Sequence, residues 1–263
     1  VFVTGGDDAG AARGLHLLGT VAAQQGDLDA AVARYEESRV IRERTGDRAG
    51  LAAILSNLGV VKNYQGDYDA AIDHHHQSLD LRRELGDLGA ISVSHTNIGI
   101  IAVARGRYDE ALTMFEEALR LSRAVGDVWM VAISQNNIGN ALRGLERFDE
   151  ACTYYAEAMV AYREYEDRWA LAFLLEDVAV LAALAGDQLT ALEVLGAADA
   201  MRDATEARRP DSQTDELDRW IAPTLADIAD DEVAAARARG RSLAEPDALD
   251  RVVAYCNRVR SAR

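Results

Sequence analysis

The sequence predicts an all-α protein, a right-handed stack of antiparallel helix pairs closed at its C-terminal end by a further helical segment. Three observations predict it. Short motifs recur every 40 residues along most of the chain. Pro is limited to 3 of 263 residues, while the strong helix formers Ala, Leu, Glu and Arg dominate. Apolar residues fall three and four positions apart, the spacing that builds one face of a helix. With 49% apolar residues the chain can bury a core.

The period is read directly. Leu18-Gly19, Leu58-Gly59, Ile98-Gly99 and Ile138-Gly139 recur at equal steps, and Val178-Ala179 continues them. Gly26-Asp27, Gly66-Asp67, Gly106-Arg107 and Gly186-Asp187 keep the same step, with Glu146-Arg147 in the fourth slot. Ala31, Ala71, Ala111, Ala151 and Ala191 form a third series, and Tyr35, His75, Phe115, Tyr155 and Leu195 a fourth. Gly46-Asp47, Gly86-Asp87 and Gly126-Asp127 close each unit, weakening to Glu166-Asp167. A fixed period of this length marks a repeat architecture. The expected organisation is a leader over 1–8, five repeats at about 9–48, 49–88, 89–128, 129–168 and 169–208, and a helical capping segment over 209–263.

Each unit reads as two helices. In the second, helix A is expected from about Gly50 to Gln65 and helix B from about Tyr68 to Leu85, with a Gly66-Asp67 turn between them. Gly86 suits the left-handed position after a helix, and the Asp that follows suits the cap of the next. A glycine inside helix A costs about 0.5–1 kcal/mol relative to Ala. Four equivalent glycines therefore imply a packing reason: the missing side chain lets helix B approach, the aligned alanines do the same from the other side, and Phe115 and Tyr155 are expected to fill the gap between units. Such units bury their faces only by stacking on neighbours.

This pattern resembles the tetratricopeptide repeat over about three-quarters of the chain. The usual period there is 34 residues; here the extra residues stand around Gly46–Gly50 and Gly86–Ala90, and the terminal Pro of the common pattern is absent. The 40-residue version, with its Leu/Ile-Gly and Gly-Asp phrases, is similar to that of kinesin light chains, polarity-adaptor proteins and MalT-like bacterial regulators. The resemblance implies an α-α superhelix whose A helices line a concave groove, and a function in binding rather than catalysis. The implied lining is Ala53, Asn57, Val60 and Tyr64 in the second unit and Val93, Asn97, Ile100 and Ala104 in the third. It continues with Ile133, Asn137, Asn140 and Gly144 in the fourth and Phe173, Asp177, Val180 and Leu184 in the fifth. The first unit, with Arg13, Leu17, Thr20 and Gln24, departs most.

The ladder Asn57, Asn97, Asn137 has two readings. An Asn side chain carries a donor and an acceptor and can pair with both groups of a peptide backbone, and in the resembling families asparagines at this place hold extended peptides. The same side chain can instead bond the neighbouring helix and fix the stack. The flanking Val93, Ile100, Ile133 and Phe173, with Tyr64 and Asn140, make a half-apolar groove suited to a peptide or an amphipathic helix. Only Arg13 and Arg143 supply positive charge on it, too few for the two-carboxylate clamp of chaperone-binding tetratricopeptide domains.

After about Leu192 the text changes. Leu195-Gly196-Ala197-Ala198 and the segment Ala236–Leu243 resemble the C-terminal region of actinobacterial regulators of the signal-transduction ATPase class, which carry LuxR-type or winged-helix DNA-binding modules. Neither the ATPase nor the DNA-binding module is present, and no GxxxxGK[ST] phosphate loop occurs. The tail itself reads as three helices. Leu217, Trp220 and Ile221 face one way up to Pro223; a short helix runs from Asp231 to Arg239 and ends at Gly240. A last helix begins near Pro246 with Leu249, Val252, Val253, Cys256 and Val259 on one side. It is read either as a cap on the fifth repeat or as a segment that enters the groove.

Composition excludes several functions. A net charge of −16 opposes nucleic acid and anionic membranes, whose binding needs a basic stripe. No apolar run approaches the ~20 residues of a membrane span. Cys152 and Cys256 fit neither a disulfide framework nor a zinc site and are read as reduced, hence a cytoplasmic protein. His74, His75 and His76 are adjacent and point about 100° apart on a helix, so no metal site is expected; His75 fills the aromatic slot of its repeat. No catalytic set converges, and no cofactor is expected. The first residue is Val, and the expectation is a segment of a longer polypeptide. The expected partner is a protein or peptide, including other domains of the same polypeptide. A small-molecule effector domain and a self-assembling scaffold remain as alternatives.

Overall fold

The structure, a computed structural model, describes residues 7–206, 209, 211–226 and 228–261. Thirteen α-helices and one short 3-10 turn make up the described residues, with no strand among them. Ten helices form five successive pairs: α1 (Asp8–Gln24) and α2 (Leu28–Thr45), α3 (Arg48–Tyr64) and α4 (Tyr68–Leu85), α5 (Leu88–Ala104) and α6 (Tyr108–Val125), α7 (Val128–Gly144) and α8 (Phe148–Glu164), α9 (Arg168–Leu184) and α10 (Gln188–Ala204). The chain divides after Met130 into two compact units.

The helix boundaries follow from side-chain chemistry. Asp27, Asp47, Asp67, Asp87, Asp167 and Asp187 each stand at an N-cap and accept a hydrogen bond from the amide three residues on. Such caps satisfy amides that the helix leaves unpaired and contribute about 1 kcal/mol each. The helices α2, α4 and α6 end at Gly46, Gly86 and Gly126 in the left-handed conformation, with φ of 71°, 70° and 72°. Where the glycine series lapses, Glu146 and Glu166 adopt the same conformation, at φ 58° and 52°.

The glycines inside helix A have a more local purpose than the sequence suggests. A Cβ on Gly99 would lie 2.5 Å from the Phe115 ring, and one on Gly139 2.5 Å from the Tyr155 ring. Gly59 stands in the same relation to His75 and Gly19 to Tyr35. The large side chain of helix B thus lies on the glycine of its own pair, not in a gap between units. In the fifth pair the two positions are Ala179 and Leu195, both buried: a larger residue on helix A and a smaller one on helix B. Buried Ser38 and Ser78 add a bond within each pair, donating to the Ala12 and Ala52 carbonyls at 2.8 Å.

His75 takes the place of these rings at a cost. It is 1% exposed, and its pKa is pushed down to about 4, first by burial and then by Arg82, His74 and His76. The folded protein therefore holds it neutral, whereas the unfolded chain protonates it near 6.5. Stability is complete above pH 6.5 and falls as the pH drops toward 4, by about 3 kcal/mol from this group. His75→Phe, which copies the Gly99–Phe115 pair, is expected to remove that slope. Urea midpoints at pH 7 and pH 4.5 check it: the two proteins should diverge at the lower pH, with the variant the more stable.

The tail comprises α11 (Asp211–Ile221), a 3-10 turn over Ala222–Leu225 that contains Pro223, α12 (Asp230–Arg241) and α13 (Glu245–Ser261). Gly240 does not end its helix, which the sequence placed at 231–239. It lies inside α12 against the Glu193 backbone of α10, while Gly196 of α10 lies against the Arg237 backbone, so the two helices cross on glycines. Leu217 and Ile221 are buried as α11 packs on α9, and Trp220 is half-buried. Leu249, Val252 and Cys256 of α13 are buried and Val253 and Val259 half-buried; Tyr255 joins the buried set, and α13 packs mainly on α8. Cys152 and Cys256 are free and buried, with their thiols hydrogen-bonded to each other. Glu193 receives both Arg239 and Arg251, and Arg241 pairs with Asp203. The tail is held to the fourth and fifth pairs by apolar burial and by these ion pairs.

Among the described residues no helix is long and apolar enough to cross a membrane, and no cluster of three or more His, Cys, Asp or Glu stands ready to hold a metal.

Candidate functional site: the face of the A helices

In residues 1–130 the helices α1, α3 and α5 are tied side by side. Asn57 Nδ2 lies 2.8 Å from His16 Nε2, and Asn97 Nδ2 lies 3.4 Å from Ser56 Oγ. Burial, then Arg42, lowers the His16 pKa, so its ring stays neutral and accepts from Asn57. Each of these asparagines is half-buried and donates to the preceding A helix, which is the stack-fixing role foreseen for the ladder. Among the described contacts, their side-chain carbonyls accept nothing. Around them the surface is apolar and open. Tyr64 is 68% exposed and Ile100 39%, and Leu17 replaces Asn in the first pair. Val93 is half-buried on α5.

In residues 131–263 the equivalent face is closed by polar bonds. Asp177 of α9 accepts from Asn136 Nδ2 at 2.8 Å and Asn140 Nδ2 at 3.1 Å. Arg143 Nη1 donates to its side chain at 3.2 Å and to its backbone carbonyl at 3.0 Å. Burial raises the Asp177 pKa, while Arg143 and then the two asparagines oppose the rise. Tyr155 donates to Asn140 Oδ1 at 2.7 Å, so the ring that covers Gly139 also anchors this network. Arg143 is therefore engaged rather than a free cation. Asn137 and Ile133 are half-buried on α7. Phe173 is stacked by the Arg202 guanidinium, 4.3 Å from its centroid, and by Trp169, also at 4.3 Å.

Sequence reasoning missed Asn136, His16 and Ser56 because it sought a single row at 40-residue spacing. The bonds join rows one residue out of step, at a separation of 41: His16 with Asn57, Ser56 with Asn97, Asn136 with Asp177. Polar residues paired at that spacing are the signal. It also missed Glu176, a buried carboxylate that accepts from Arg202 at 2.5 Å and from Arg209 at 2.6 Å.

A helical-repeat protein with an exposed, half-apolar face and no clustered catalytic groups belongs to the class of binding scaffolds. Models of the tetratricopeptide repeat match residues 50–124 and 131–165, and the chain is a tetratricopeptide-repeat protein. No curated protein sequence matches it. Solved structures share the fold at low identity. A Rap protein complexed with competence and sporulation factor superposes with a TM-score of 0.67 at 16% identity, over 94% of this chain and 73% of that one. BtubC (BKLC) from P. vanneervenii gives 0.61 at 20% identity, over 74% and 81%. A signal-transduction ATPase with numerous domains and a tetratricopeptide repeat sensor, from Pyrococcus horikoshii, gives 0.65 at 16% identity; 95% of this chain covers 39% of that protein.

Proposed function

We propose that this protein is a non-catalytic receptor domain that holds a segment of a partner protein against the face of its A helices. The observation that carries the proposal is the surface of α3 and α5. Tyr64 and Ile100 stand exposed beside Asn57 and Asn97, whose carbonyls remain to accept from a backbone. A ligand backbone excluded from water needs such partners, and exposed aromatic and aliphatic side chains supply anchoring area. The only cation noted on this face of residues 1–130 is Arg13, and the chain carries −16 overall, so the favoured segment is apolar and neutral or basic. In residues 131–263, Ile133, Asn137, Asn140 and Phe173 offer a second, more polar patch of the same kind; there Arg143 and Asp177 shape the patch through their mutual bond.

The likeness to a Rap protein solved with a peptide factor, and to the sensor of a signal-transduction ATPase, supports a role in sensing. With the tail's resemblance to bacterial regulators, it places the domain, in this proposal, within a transcriptional regulator or signalling ATPase, reading a peptide, a partner protein or another domain of the same polypeptide.

Peptides selected from a random displayed library against the intact protein test the reading. Tyr64→Ala with Ile100→Ala is expected to weaken selected peptides by about tenfold or more, equivalent to ~1.4 kcal/mol, while leaving the melting temperature nearly unchanged. Asn97→Ala with Asn137→Ala is expected to weaken them as well. Selected peptides that bind both double variants as tightly as the parent would remove the face from consideration.

A further inference from the structure

The first helix exposes what every later A helix buries. Leu18 is 57% exposed and Val21 48%. Their equivalents one repeat on, Leu58 and Val61, are 0% and 2% exposed, and those of the third pair, Ile98 and Ile101, 3% and 1%. What covers them inside the array is visible. Ala31 and Tyr35 of helix α2 form one core with Leu58 and Val61, and Leu79 of α4 packs with Ile98. A repeat array that ends in water presents a polar outer face. Here the end face is apolar, with Leu17 beside it in a row otherwise held by Asn57 and Asn97.

The sequence register runs on past this face. Gly6-Asp7 stands where Gly46-Asp47 and Gly86-Asp87 join a helix B to the following helix A, and Asp7 caps α1 as Asp47 caps α3. Val1 stands in the register of Ile41, Leu81 and Leu121. A head-to-tail second copy is a poor occupant, because the last B helix, α10, is already covered by α12 through the crossing of Gly196 and Gly240.

We propose that the Leu18–Val21 face of α1 is a docking surface for the B helix of a further repeat of this same type, joined in register ahead of α1, with an alanine and a ring one turn apart as in Ala31 and Tyr35. The interface continues the one that already joins α2 to α3 and α4 to α5. Leu17 makes it more apolar than those: at this end no asparagine reaches back to the preceding A helix.

The test supplies the missing helix pair from the chain itself. Residues 48–80 placed directly ahead of Val1 keep the 40-residue register. The intact protein carrying Leu18→Cys is labelled with a water-soluble maleimide, with and without the added pair; Val40→Cys, on an exposed position of α2, is the control, and the two native thiols are buried. Labelling at position 18 is expected to slow by about tenfold or more once the pair is added, with position 40 unchanged, and the melting temperature to rise. Leu18→Asp should abolish the rise. Equal labelling at position 18 with and without the added pair, with no rise in melting temperature, overturns the proposal. So does a dimer of the unextended protein, seen by light scattering, that Leu18→Asp splits, since a second copy would then be the occupant.

Discussion

Gly99→Ala is expected to destabilise the protein by about 1–3 kcal/mol, the usual cost of forcing extra atoms into a packed core. The new Cβ would meet the Phe115 ring at 2.5 Å, and the ring is 1% exposed with nowhere to move. The helix itself gains from the change, by up to about 1 kcal/mol, so the net loss measures the clash. Phe115→Leu alone leaves a void over the glycine and costs about 1 kcal/mol or more. Made together, the two substitutions install the Ala and Leu that the fifth pair carries at positions 179 and 195. The double variant is therefore expected to be more stable than the sum of the singles predicts, with a coupling of about 1 kcal/mol. Urea denaturation of the four proteins measures it. Strict additivity would show that the glycine and the ring are not a matched pair.

The second large effect is expected at Glu176. Its carboxylate is buried and takes the Arg202 Nε and Nη2 at 2.5 and 2.9 Å and the Arg209 guanidinium at 2.6 Å. Arg202 is itself 5% exposed and pressed on the Phe173 ring. Glu176→Ala removes the anion and leaves a buried cation, a change that costs about 3–5 kcal/mol. Arg209 keeps Asp199, at 3.0 Å, so the loss falls chiefly on Arg202. Replacing both partners with apolar residues, Glu176→Leu with Arg202→Met, is expected to recover most of the loss, because the desolvation of two charges disappears with them. Thermal melts of the single and double variants decide it. A double variant no better than Glu176→Ala would mean that the pair contributes more than charge balance.

These two sites differ in how far the sequence reveals them. The Gly99–Phe115 pair is legible, because both members recur every 40 residues and helix geometry brings positions 16 apart together across one turn. Reading the ring as a filler between units was the error, since the period alone does not say which neighbour a side chain meets. The Glu176 cluster is invisible to periodicity. Arg209 belongs to the segment that leaves the repeat, and Glu193 draws Arg251 from 58 residues away. Gly240 was misread for a related reason: after an Arg-rich helix a glycine looks like a terminator, but it is a crossing point whose partner, Gly196, lies in another element. The asparagine ladder was legible as residue type and position. Its bonds were not, because they run between rows one residue out of step.

The same geometry bears on the functional face. The asparagines spend their amide hydrogens on the neighbouring helix, which fixes the direction in which their carbonyls are offered. Tyr64 and Ile100 are not needed for packing and stand free to meet a ligand.

Hydrogen exchange of the backbone, measured with and without a saturating library-selected peptide, tests the central claim most directly. Binding at the A-helix face should slow exchange in α3 and α5, above all around Val60–Tyr64 and Ile100–Ala104, and leave α4 and α6 unchanged. Protection concentrated in α4 and α6, with α3 and α5 exchanging as in the free protein, would contradict it.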